Sequence, residues 1–183
     1  MEADPGRFSI VGATGSGKTH LARTLADRLR LPLHELDKIR WDSSGRALRR
    51  EEFADAVHSL AAGEEWIIDG HYREVRHLVW DRADVVVWLN YPLLLVAMRL
   101  LRRFSRKRKT PVPDVTASTP RQQPQVTWAH RLGRIGRTIR ERDEYRRLLH
   151  APQYRHLRIV ELKSPRATDA WLREAGWALP QDC

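Results

Sequence analysis

Near the start of the chain, Gly12-Ala13-Thr14-Gly15-Ser16-Gly17-Lys18-Thr19 carries the residue types and spacing that hold phosphate. The stretch fits G-x-x-x-x-G-K-[ST], the P-loop or Walker A pattern. Its glycines let the backbone turn tightly and bring N–H groups against phosphate oxygens. Lys18 can reach the β- and γ-phosphates of a nucleotide, and the Thr19 hydroxyl suits Mg²⁺. ATP and Mg²⁺ are therefore the expected cofactors.

Two carboxylates and one arginine complete the candidates. Asp69 closes the apolar run Glu65-Trp66-Ile67-Ile68. That is how a Walker B carboxylate is offered to Mg²⁺ or its waters. Asp37 closes Leu31 to Leu36. There it can bind an acceptor or take its proton, or serve as a capping residue. Arg73, four residues past Asp69, can fork onto an acceptor's phosphate or be an ordinary surface arginine. His71 reads either as a general base or as a structural histidine.

These residues need elements to place them. Phe8 to Val11 reads as a strand before the P-loop, and Leu21, Leu25 and Leu29 form one stripe of the helix after it. Further strands are expected at 31–37, 65–69, 84–89 and 157–162. Helices are expected at 50–62, 73–82, 93–103, 128–150 and 167–175. Residues 38–49 suit an acceptor-binding loop or a plain surface loop. Five strands alternating with helices predict an α/β three-layer sandwich with a mostly parallel sheet. Residues 110–127 hold four prolines and no period, which predicts a lid over about 104–127 or a disordered segment.

Composition narrows the class. A chain of 183 residues is expected to form a single domain. No stretch approaches a membrane span, residues 1–7 have no signal-peptide character, and the lone cysteine, Cys183, excludes a disulfide framework. A cytoplasmic protein is the expectation. The net charge of +10 is concentrated: residues 99–158 carry 17 Lys/Arg against 4 Asp/Glu. Such a block calls for an anionic partner or a solvated face. Nucleotide phosphate is the favoured partner. Nucleic acid is a less favoured one, because aromatic residues are not interleaved with the charge.

Together these residues resemble the nucleoside-monophosphate-kinase branch of the P-loop proteins. More closely, they resemble the adenylate-kinase-related DNA topology modulation proteins, over residues 7 to 175. The likeness rests on the P-loop, Leu36-Asp37, Trp66-Ile67-Ile68-Asp69-Gly70-His71-Tyr72 and the basic segment before the lid. It implies a sheet order of 2-3-1-4-5. Similarity to adenylate kinases implies that Arg73 holds the acceptor's phosphate and that Arg99 and Arg103 contact nucleotide base and phosphate. It loosely implies roles for Arg131, Arg134 or Arg137.

The expected activity is ATP- and Mg²⁺-dependent transfer of the γ-phosphoryl group to a small acceptor. Lys18, Asp37, Asp69 and Arg103 are its candidate catalytic residues. Arg73 and the basic lid favour a nucleotide acceptor over an alcohol. The alternative is a nucleic-acid-associated or nucleotide-sensing ATP-binding protein that transfers nothing.

Overall fold

The computed structural model describes residues 5–42, 44–70, 72–107 and 141–174, without the side chains of 101 and 103–107. Five strands form one parallel sheet: β1 (Arg7–Gly12), β2 (Leu33–Glu35), β3 (Trp66–Asp69), β4 (Val85–Leu89) and β5 (Arg158–Leu162). Their order is β2-β3-β1-β4-β5, the order implied by the resemblance. The helices are α1 (Lys18–Leu29), α2 (Leu36–Ile39), α3 (Arg50–Ala61), α4 (Arg76–Trp80), α5 (Leu93–Lys107), α6 (141–149) and α7 (Pro165–Glu174).

Side-chain alternation along the strands explains the layers. Phe8, Ile10, Ile67, Val85, Val87 and Leu89 face one side of the sheet. There they pack against Leu21, Ala22 and Leu25 of α1, Val96 and Leu100 of α5, and Trp171 and Leu172 of α7. Val11, Trp66, Ile68, Val86 and Trp88 face the other side, against α3, α4 and α6. Both faces of β1, β3 and β4 are therefore buried, as near-continuous apolar runs in parallel sheets require. Tyr145 of α6 packs between Trp80 and Trp88, with ring centroids 6.1 and 6.0 Å away. At the opposite end of the sheet from the P-loop, Asp84 ties β1 to β4. It accepts from Arg7 Nη2 at 2.6 Å and from the Gly6 and Arg7 backbone N–H groups.

The strand order positions the site. β1 lies between β3 and β4, the chain having gone out to β2 and crossed back. That reversal opens a crevice at the strands' C-terminal ends. Registry sets Ile10 of β1 and Glu35 of β2 on either side of Asp69.

Several expected boundaries move. The second strand is only Leu33–Glu35, and residues 36–39 coil into a helical turn, so Asp37 lies within that turn, just past the strand end rather than at it. The reason is Leu36. Its side chain is buried under the backbone of Gly70, where a Cβ would lie only 2.8 Å from Leu36 Cβ. Gly70, at φ +140°, has the backbone and the bare surface this close approach needs. The helix expected at 73–82 is shorter, Arg76–Trp80, and the one expected to stop at 103 runs on to Lys107. Of the helix expected at 128–150, residues 141–149 are described and helical. His71, the Arg103 side chain, Arg131, Arg134, Arg137 and nearly all of the expected lid at 104–127 lie outside the described residues.

Candidate active site

The P-loop leaves β1 at Gly12 and closes into α1 at Gly17, whose φ of +106° a non-glycine residue would adopt only with strain. Ser16 N–H donates to the Ala13 carbonyl at 3.1 Å, holding the turn. The first N–H groups of α1 then point to the loop's concave side, a ready anion site. Lys18 folds back over the loop, its Nζ donating to the carbonyls of Gly12 at 2.9 Å and Ala13 at 3.1 Å. Burial pushes the Lys18 ammonium below its usual pKa, and the charges of Asp69, Asp37 and Glu141 pull it back up. An ammonium held among three carboxylates is a charge ready for phosphate.

Thr19 sits one residue on, and its Oγ1 donates to Asp69 Oδ2 at 2.6 Å. Asp69 is buried, and its second oxygen, Oδ1, is buried with no hydrogen-bond partner among the described residues. Burial raises the Asp69 pKa above the ordinary carboxylate range, against the Thr19 hydrogen bond and the Lys18 charge. An orphaned carboxylate oxygen beside a threonine hydroxyl fits Mg²⁺, which takes one or two protein oxygens and completes its shell with phosphate and water. Among the described residues no group of three or more His, Cys, Asp or Glu could hold a metal alone.

Arg99 of α5 reaches the loop from the side. Its Nη1 donates to the Ser16 carbonyl at 2.6 Å, and its guanidinium stacks on Tyr91, 5.2 Å from the ring centroid. Tyr91 is fixed in turn by a buried hydrogen bond of 2.7 Å to Thr168. Gly12, Ala13, Thr14, Gly15, Ser16, Gly17, Lys18 and Thr19 thus form one loop with Arg99 against it.

From this loop a cleft of about 530 Å³ runs to Asp69, Asp37 and Tyr72. Asp37 is exposed to it, and Tyr72 Oη donates to Asp37 Oδ1 at 2.8 Å. Burial, and then the Asp37 hydrogen bond and charge, push the Tyr72 hydroxyl well above its ordinary pKa. It therefore stays protonated. Glu141 of α6 also lines the cleft. Arg73 does not. Its guanidinium pairs with Glu144 of α6, which also takes Arg76 at 3.0 Å.

The structure therefore brings Lys18, Thr19, Asp37, Asp69 and Arg99 to one cleft and turns Arg73 away from it. Sequence reasoning assigned no role to Tyr72 or Glu141. Tyr72 follows Asp69 by three residues and is within reach of a strand-end cleft, a signal that was present. Nothing local marks Glu141, which arrives from a distant helix.

No family model matches this chain, and no curated protein matches it in sequence. Solved structures do. A shikimate kinase from Acinetobacter baumannii, in complex with shikimate, is similar with a TM-score of 0.57 and 18% identity, over 93% of this chain and 90% of that one. A putative kinase from Chloroflexus aurantiacus gives 0.53 and 21%, over 94% and 98%. A gluconokinase from Sinorhizobium meliloti gives 0.51 and 17%, over 93% of each chain. At these identities the likeness is one of fold: this chain has the three-layer α/β architecture of the P-loop kinases.

Proposed function

We propose that the protein is a P-loop small-molecule kinase, transferring the γ-phosphoryl group of ATP to a hydroxyl of a small acceptor. One observation carries the reading: Lys18, the Thr19–Asp69 pair and the exposed Asp37 carboxylate face a single cleft. The P-loop N–H groups, Lys18 and Arg99 would hold the nucleotide phosphates. Thr19 and Asp69 would hold Mg²⁺, directly or through its waters, and the ion would screen phosphate charge. The acceptor oxygen attacks the γ-phosphorus, the bond to the β–γ bridging oxygen breaks, and ADP leaves. The acceptor's proton passes to Asp37. Catalysis of this kind is positioning and charge neutralisation more than covalent chemistry.

Charge among the described residues supports one acceptor class. A phosphorylated acceptor needs a cation at its end of the cleft. Among the described residues that end presents Asp37, Tyr72 and Asp69, while Arg73 is paired elsewhere with Glu144. This turns the reading from a nucleotide acceptor to an alcohol. The solved kinases of similar fold include ones named for shikimate and gluconate, compounds that carry hydroxyls and no phosphate, which supports a hydroxyl acceptor. The resemblance to the DNA topology modulation proteins, a cytoplasmic location and a lid over 104–127 are compatible with such a kinase. Among the described residues no helix is long and apolar enough to cross a membrane.

The test is ADP release from MgATP across nucleoside monophosphates, nucleosides, sugars and polyol acids, with Lys18→Ala as background. Acceptor-dependent release above that background is expected. Its absence with every acceptor, alongside ordinary ATP binding, would favour the nucleotide-sensing alternative.

A further inference from the structure

The proposed kinase reading leaves Tyr72 without a task, yet its side chain is held in place on two sides. Its ring meets Phe53 edge-on, with centroids 5.0 Å apart and planes at 70°. Phe53 is fully buried, and the Arg40 guanidinium stacks on it at 5.1 Å. The hydroxyl is therefore held by a packed aromatic pair, not by a free surface side chain.

Its single proton is committed to Asp37 Oδ1. On these two cleft-lining residues two acceptor positions are left: the lone pairs of Tyr72 Oη and the second oxygen of Asp37, Oδ2. Among the described residues neither takes another hydrogen bond. The Tyr72 hydroxyl and the Asp37 carboxylate, joined by their 2.8 Å hydrogen bond, are thus neighbouring acceptors on one wall of the cleft, and neighbouring acceptors suit a ligand with two neighbouring donors. A vicinal diol carries two such donors on neighbouring carbons. A lone hydroxyl would use one position and leave the other to water. A phosphate, which donates little, would meet a carboxylate and a lone pair.

We propose that Tyr72 and Asp37 together form a vicinal-diol site. One acceptor hydroxyl donates to Asp37 and becomes the nucleophile, and its neighbour donates to Tyr72 Oη. Tyr72 thereby also acts as a positioning residue, fixing the Asp37 carboxylate in the orientation that receives the proton. The substrate class is a polyol, sugar or cyclitol carrying adjacent hydroxyls. This inference rests on the acceptor end assigned above.

The test pairs each of three probes, myo-inositol, ribitol and D-gluconate, with an analogue lacking one hydroxyl of a vicinal pair. ADP release is measured with MgATP. Binding is measured by calorimetry on protein holding Mg²⁺ and a non-hydrolysable ATP analogue. For wild type, at least one diol should exceed its deoxy analogue about 10-fold in kcat/KM and in affinity, the discrimination of one hydrogen bond whose loss leaves a partner unpaired. Tyr72→Phe keeps the ring packing and removes the oxygen. It should raise KM for that diol about 10-fold and bring the diol-to-deoxy ratio toward one. The wild-type comparison needs no variant, so a poorly folded Tyr72→Phe does not block the test. Equal use of diol and deoxy probes, discrimination unchanged in Tyr72→Phe, no binding of any diol, or better turnover of a nucleoside monophosphate would each overturn the proposal. Tyr72-dependent diol binding without any ADP release would uphold the diol site and overturn the kinase reading instead.

Discussion

At the phosphate end of the cleft, Lys18 donates to carbonyls only six and five residues back along the chain. At the acceptor end, Tyr72 and Asp37 are 35 residues apart and meet because β2 and β3 are neighbours in the sheet. The first arrangement is a local device: a turn, a helix start and a side chain folded over them. The second exists only once Leu36 has packed beneath Gly70 and Tyr72 has packed on Phe53. A local device of this shape suits phosphate whatever the acceptor. Specificity for the acceptor has to come from contacts assembled across the fold.

The contrast can be broken most severely at the phosphate end. Lys18→Ala should lower kcat/KM by at least about 10³-fold, removing a preorganised charge from both ground and transition states. Circular dichroism should be unchanged. Normal ATP affinity and turnover in that variant would remove the P-loop from the mechanism.

At the acceptor end, Asp37→Asn should lower kcat by about 10²-fold, within the usual range for losing a general base, with KM for ATP little affected. An effect confined to KM for the acceptor would reduce Asp37 to a binding group.

Asp69 joins the two ends, and its sign differs from the others. Asp69→Asn should lower MgATP turnover about 10–100-fold, as loss of a metal-shell partner does. Yet it should raise the Tm of the nucleotide-free protein by a few degrees. The Asp69 pKa is raised by burial, so the folded state holds its proton more tightly than the unfolded state. Stability from this group is then lost as pH rises from the ordinary carboxylate range through the folded pKa. Asp84 runs the other way. Its burial is outweighed by Arg7 and two backbone N–H groups, and its pKa falls. Its contribution is present above the ordinary carboxylate range and is lost as pH drops through the folded pKa. Thermal melts from pH 3 to 7 should show Asp69→Asn gaining most at neutral pH and Asp84→Asn losing most there. Parallel pH curves for the two variants would contradict both assignments.

The smallest effect is expected where the sequence promised a large one. Arg73 has a side chain 65% exposed and pairs with Glu144 outside the cleft. Arg73→Ala should change acceptor KM less than about 2-fold and stability by about 0.2–1 kcal/mol, typical of an exposed pair. A KM rise of tenfold or more would restore the phosphate clamp and the nucleotide acceptor with it.

Much of this was legible in the sequence, for definite reasons. The P-loop is read from glycines and a lysine because its function is a backbone shape. The strands are read from apolar runs because parallel strands are buried on both faces. Asp69 is read from its place after such a run. The one-turn helix that carries Asp37 was not legible, because residues 31–37 continue a strand-like pattern and only Leu36 packing under Gly70 ends it. Nor was the pairing of Arg73 with Glu144. Spacing from Asp69 put a guanidinium near the cleft, and helix α6, arriving from 71 residues further on, turned it away. Sequence by itself determined which chemistry the chain can hold, since the proposed phosphate site is encoded within eight consecutive residues. Only the tertiary structure decided what faces that phosphate, because the hydrogen bond between Tyr72 and Asp37 depends on strand order and on the packing of Phe53, which no local pattern specifies.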